Sequence, residues 1–153
     1  MTKKNGFMLI VLLVLASFYV FYFTDFFRPK TIHIFHTSRN TRPGSRAGRD
    51  SGETLPITFG FDRAYQFTEI KVVPLAAWQT NKDTPPIWHL ISTSNSIPMR
   101  FLIYGQRIRG MIPEISGARP QSLSPGESYR LFVAAGSAKG RHDFQPVAKP
   151  AGP

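Results

Sequence analysis

The stretch "SLSPGESYRLFVAAG", Ser122 to Gly136, decides the fold. Pro125 fixes φ and Gly126 accepts positive φ without a Cβ clash, so the pair builds a tight turn. Alternation begins just beyond it. Tyr129, Leu131 and Val133 share one face of an extended chain, and Arg130 takes the other. "GSAKGRHDF" (136–144) then supplies a hairpin turn and a final strand.

The same signature recurs upstream. Short runs rich in β-branched and aromatic residues stand between Pro, Gly, Asn and Asp: "TIHIFHT" (31–37), "PITFGF" (56–61), "YQFTEIKVV" (65–73), "PIWHLIS" (86–92) and "RFLIYG" (100–105). With "SYRLFVAA" (128–135) and "RHDF" (141–144) they make seven strands and no convincing amphipathic helix. Seven short strands suit two packed antiparallel sheets, whose inner faces account for the 42% hydrophobic content. The expected body runs over 28–146. Within it, "SRNTRPGSRAGRDSGET" (38–54) has no apolar periodicity and reads as a long basic loop or linker. Residues 147–153, ending in "KPAGP", read as a flexible tail. There is no internal repeat.

"LSPGESYRLFV" resembles the corner and following strand of fibronectin type III and related immunoglobulin-like domains, through Leu123, Pro125, Gly126 and Tyr129. The resemblance implies a ring packed into the core and a hydroxyl bonded to backbone a few residues upstream, pinning the connection between sheets. It also implies a core tryptophan on an early strand. Trp88 is the candidate, although it lies on a later strand of this count. The expected fold class is all-β: a small immunoglobulin-like antiparallel sandwich preceded by one N-terminal transmembrane helix.

That helix is read from "FMLIVLLVLASFYVFYFTDFF" (7–27), in which Phe7 to Thr24 carries no charge. At about 1.5 Å per residue it matches the roughly 30 Å hydrocarbon core of a bilayer. It is apolar all round, with Tyr19, Tyr22, Phe26 and Phe27 crowding one end like an interfacial belt. Lys3 and Lys4 give residues 1–6 the form of a signal-anchor tail. Cleavage as a secretory signal fits less well, because Leu15 stands where a second small residue is wanted beside Ala16 and Ser17. "KKNG" before "FMLIVLLV" also resembles the leader of type IV pilins and pseudopilins, through Gly6, Phe7, Leu9, Ile10, Leu12 and Leu13. Val11 departs from that family's glutamate, and "RPK" (28–30) breaks a helix which the family prolongs. A pseudopilin-like subunit is therefore the alternative reading.

Sidedness is divided. Arg28, Lys30, Arg39 and Arg42 outnumber Lys3 and Lys4, which favours a cytoplasmic body by the positive-inside rule. The signal-anchor form of the tail and the sandwich fold favour an extracytoplasmic one, and that is the expectation adopted.

Chemistry is constrained mainly by exclusion. No cysteine is present, which removes disulfides, thiolate zinc sites and thiol nucleophiles. No nucleophile elbow, phosphate loop, HExxH helix or EF-hand pattern occurs. His33 and His36 are three apart, a spacing that points them to opposite faces of a strand. His89 and His142 are the other two; Asp143 is next to His142, but neighbours in a strand diverge and no nucleophile is evident. The expectation is a non-enzyme with no catalytic, cofactor or metal residues. The competing class is an envelope enzyme assembled from scattered histidines and arginines.

Charge is the remaining hint. Of 19 Lys and Arg, all but Lys3 and Lys4 lie from Arg28 onward, and of nine acids all but Asp25 do, leaving a net +9 there. Arg39, Arg42, Arg46 and Arg49 load the 38–54 loop, and Arg107 and Arg109 load "GQRIRGM". These six are the candidate contacts for an anionic surface, whether lipid headgroups or an envelope polymer, through forked donors suited to phosphate and carboxylate. The expected partners are the bilayer, such an anionic surface, and another membrane protein. Nucleic acid is disfavoured, because the aromatic residues are committed to core alternation rather than to a stacking strip.

Overall fold

Alternation becomes a pair of antiparallel sheets. The computed structural model describes residues 3–23, 30–38, 54–92 and 96–149. Among them, β1 (Ile34–Ser38), β2 (Ile57–Tyr65) and β5 (Met99–Ile103) form one sheet in the order β1-β2-β5. The second sheet takes β3 (Glu69–Pro74), β4 (Trp88–Ser92), β6 (Met111–Pro113), β7 (Tyr129–Ala135) and β8 (Ala138–Phe144), in the order β6-β4-β3-β7-β8. Every pairing between these strands is antiparallel.

The inner faces follow the two-residue period. Ile57, Phe59 and Phe61 from β2, with Leu102 from β5, meet Ile70, Val72, Trp88, Leu90, Leu131, Val133 and Phe144 from the larger sheet. Phe59 meets Phe144 edge-on at 4.9 Å between centroids, a favoured aromatic geometry at the centre of the core. Trp88 is buried on β4 and meets Tyr104 edge-on at 5.1 Å.

The two sheets are also joined at one side by backbone. Ahead of β1, Ile32 N–H donates to Lys139 O and Lys139 N–H donates to Lys30 O, both at 3.0 Å, in a parallel bridge to β8. Gly140 makes this approach possible. A Cβ there would lie 2.9 Å from Ile32 Cβ and from the Ile32 carbonyl.

Several boundaries differ from expectation. The run 65–73 splits: Tyr65 closes β2, a turn through Thr68 follows, and β3 begins at Glu69. Immediately after β3, "LAAWQT" forms a short helix, α2 (Leu75–Thr80). It spans fewer than two turns and buries none of its residues, so no apolar periodicity betrays it. β6 is an eighth strand, only three residues long and held by its pairing to β4. The body also extends past 146: Leu55 N–H donates to Val147 O at 3.0 Å, and Thr54 bridges Ala148. The loop arginines Arg39, Arg42, Arg46 and Arg49 lie outside the described residues.

At the N-terminus, α1 (Lys3–Phe23) is a helix of 21 residues. Its described side chains run from Gly6 to Val20 and are exposed on every side, Phe7 and Met8 by 70% and 74%. Residues 24–27 of the expected span lie outside the described residues. Among the described residues, no helix is long and apolar enough to cross a membrane; Gly6 to Val20 amounts to about 22 Å of helix.

Candidate functional site

The Pro125–Gly126 turn sets up the corner that feeds β7. Gly126 has φ +85°, a value open to glycine at no steric cost. Its N–H donates to Pro146 O at 3.3 Å, and the Gln145 amide donates to Gly126 O at 2.6 Å. Leu123 is buried, and Tyr129 is buried with its ring stacked on Phe144. The Tyr129 hydroxyl accepts the Ser124 N–H at 3.0 Å and donates to Glu127 Oε2 at 2.8 Å. Burial raises its pKa; the Ser124 amide opposes that rise and Glu127 adds to it. A second tyrosine latch was not evident in the sequence. The Tyr104 hydroxyl donates to Gln121 O at 2.8 Å, and burial raises its pKa strongly. Between them the two phenols hold the long connection from β6 to β7.

Beyond this corner lies the outer face of the larger sheet, where the register brings distant polar residues together. Lys71 pairs with His89 on β4 and with Phe132 on β7, and Phe132 pairs with Arg141 on β8. The row therefore reads His89, Lys71, Phe132, Arg141. Lys71 Nζ stands 5.6 Å from the Phe132 centroid. Trp78 of α2 folds over the next row, with the Lys82 ammonium at 3.3 Å and the Arg130 guanidinium at 4.6 Å from its ring. Arg130 also grips Asp143 through two bonds, 2.5 Å and 2.7 Å long, which hold that carboxyl below its ordinary pKa.

The carboxylates here are engaged in pairs. His89 lies between two of them: Nε2 meets Glu69 Oε1 at 2.9 Å, while Nδ1 lies 2.5 Å from Glu114 Oε2 without hydrogen-bond alignment. Asp62 accepts from the Tyr65 hydroxyl, which in turn accepts from Arg63. His33 and His36 do not meet. His36 instead finds His142 on β8, with Nδ1 and Nε2 2.7 Å apart. Burial and the neighbouring His36 lower the His142 pKa, and Asp143 partly offsets them. Among the described residues, no three His, Asp or Glu side chains gather in a way that could hold a metal.

Arg107 and Arg109 are exposed on the connection from β5 to β6, and Arg141 is exposed on β8. Among the described residues, none of the three forms an ion pair. The outer face of the larger sheet thus carries aromatic rings under cations, with Arg141 exposed on the same row. Compared with known proteins, the chain matches no family model, no curated protein and no solved structure.

Proposed function

We propose that this protein is a single-pass, membrane-anchored β-sandwich whose extracytoplasmic body is a non-catalytic binding or envelope-assembly module, with the outer face of the larger sheet as its binding surface. One observation carries the reading. A helix that leaves Phe7 to Val20 exposed all round is stable only in an apolar surrounding, and lipid supplies one without a dedicated partner. The resemblance to fibronectin type III and immunoglobulin-like domains draws support from strand order. The run β8-β7-β3-β4 follows the G-F-C-C′ sheet of such domains, and β1-β2-β5 supplies their A, B and E strands. The non-catalytic role draws support from the pairing of Asp143, Glu69, Asp62 and Glu127 within the structure, which leaves these carboxylates tied down rather than poised for proton transfer.

The test has two parts. Alkaline extraction of membranes should leave the full chain in the pellet, and external protease on spheroplasts should remove its body. Photo-crosslinking side chains at positions 112 and 141, both exposed on the larger sheet, should give a discrete adduct with a membrane protein or envelope polymer. A body protected from external protease overturns the sidedness, and absence of any adduct at both positions overturns the binding face. A mature chain that begins at Phe7 would favour the pseudopilin-like alternative instead.

A further inference from the structure

The chain leads back to α1 from one pole of the sandwich. At this end, β2 finishes at Tyr65 opposite Met99, where β5 begins. Arg100 reaches across to Asp62 O at 3.4 Å. The β7–β8 hairpin closes the same end, and Ala64, Tyr65, Gln66, Thr68, Pro98, Ala135 and Gly136 line one shallow hollow there. Near these residues in the chain, Arg63, Arg100, Lys139 and Ile97 (50%) are exposed, and Phe101 (63%) is exposed two residues into β5, opposite Gly60. Among the described residues two acids stand at this end: Asp62, which accepts from the Tyr65 hydroxyl and lies 3.9 Å from Arg63 Nε, and Glu69, which is engaged by His89.

The distance from this pole to α1 is bounded by covalent geometry. Lys30 is fixed to the hairpin by its bond with Lys139, and α1 ends at Phe23. Seven Cα–Cα steps reach at most about 25 Å in any conformation. If α1 is embedded in a bilayer, this pole, with its exposed cations and apolar side chains, is the one held near the headgroups. The opposite pole, which carries the Tyr129 corner, is set further from this tether by the length of the strands.

We infer that this pole docks on an anionic leaflet, with Arg63, Arg100 and Lys139 meeting phosphate headgroups while Ile97 and Phe101 enter the interface. The inference rests on the anchored reading above. Docking would orient the body so that the larger sheet's outer face stands across the membrane plane, accessible from the side. Each cation near an anionic surface contributes independently, so removing three lowers the docked-to-free ratio about a hundredfold. High salt has the same effect on the unmodified chain, because the screening length falls to roughly 3 Å at 1 M.

The absence of native cysteine makes the experiment clean. Full-length protein carrying Ser137→Cys at this pole, or Ser122→Cys at the other, is labelled with an environment-sensitive fluorophore. Each is reconstituted in vesicles of phosphatidylcholine, with or without phosphatidylglycerol. Headgroup-attached quenchers should reach the label at 137 and not at 122, only in the anionic vesicles. Quenching should vanish in high salt and in the triple variant Arg63→Gln, Arg100→Gln, Lys139→Gln. A chain retained through alkaline extraction whose label at 137 stays unquenched overturns the inference while leaving the anchor intact. Equal quenching at both positions, or indifference to salt, overturns it too. A chain washed out by alkali removes the anchored reading, and this inference with it.

Discussion

Replacing Tyr129 by Phe isolates the corner latch. The substitution keeps the ring, and so keeps its stacking on Phe144 at 5.8 Å between centroids. It removes the oxygen that accepts the Ser124 N–H and donates to Glu127. A net hydrogen bond is worth about 1 kcal/mol, and a donor left without a partner beside a buried ring costs about 1–3 kcal/mol. Because Ser124 and Glu127 are exposed, water can re-solvate both after the change, which places the expected loss near the lower bound, about 1–2 kcal/mol. For a body of this size that is a fall of roughly 4–8 °C in Tm. The assay is thermal or urea unfolding of the full chain in detergent, followed by the fluorescence of buried Trp88. A cycle with Glu127→Ala separates the two bonds: if the Ser124 amide is the main partner, Tyr129→Phe stays costly in the Glu127→Ala background. A loss below about 0.3 kcal/mol in both backgrounds would refute the latch as a source of stability.

Other outcomes follow from the same geometry. Gly140→Ala should cost about 1–3 kcal/mol, because the new Cβ meets the Ile32 backbone carbonyl at 2.9 Å and the chain ahead of β1 must move. Gly60→Ala should cost under about 1 kcal/mol by the same unfolding assay, since the obstructing atoms belong to the Phe35 ring, itself 54% exposed and able to swing out. His142 is more easily left neutral in the folded state, so its contribution is present above its ordinary pKa of 6.5 and is lost as pH falls below that value. Unfolding midpoints measured across this range should decline in the native chain and decline less in His142→Gln. At the alkaline end the sign reverses. Tyr104 and Tyr129 have raised pKa values, so their contribution is complete below the ordinary pKa of 10.0 and is lost as pH rises beyond it. Absorbance titration of phenolate in the folded chain should therefore show two tyrosines ionising late, and Tyr104→Phe should remove the later of them.

The periodic strands and the turn at Pro125–Gly126 were legible because both signals are local. A two-residue alternation of Tyr129, Leu131 and Val133 exposes its buried face without reference to any other segment. The same logic explains what was missed. Six residues of α2 are too few to display a helical period, and three residues of β6 too few to display an alternation; each is held by its neighbours. The 65–73 run was misdivided because its apolar residues continue across a turn that has neither Pro nor Gly.

The proposed binding face and the pairing of the histidines were less accessible still. His36 and His142 are 106 residues apart, and His89 reaches Glu69 only because β3 and β4 pair in one particular register. A shift of a single residue would send each of those side chains to the other face of the sheet. Trp78 could be recognised as aromatic but not as a platform, since Lys82 and Arg130 come to it from a loop and a strand. By itself, then, the chain's order of residues determined the apolar N-terminal segment, the β character, the corner turn and the excess of positive charge, because each depends on near neighbours. Only tertiary structure decided which cations remain unpaired, which imidazoles meet, and which pole lies beside the N-terminal tether. Those are consequences of strand register and sheet order, interactions between segments whose separation along the chain carries no local trace.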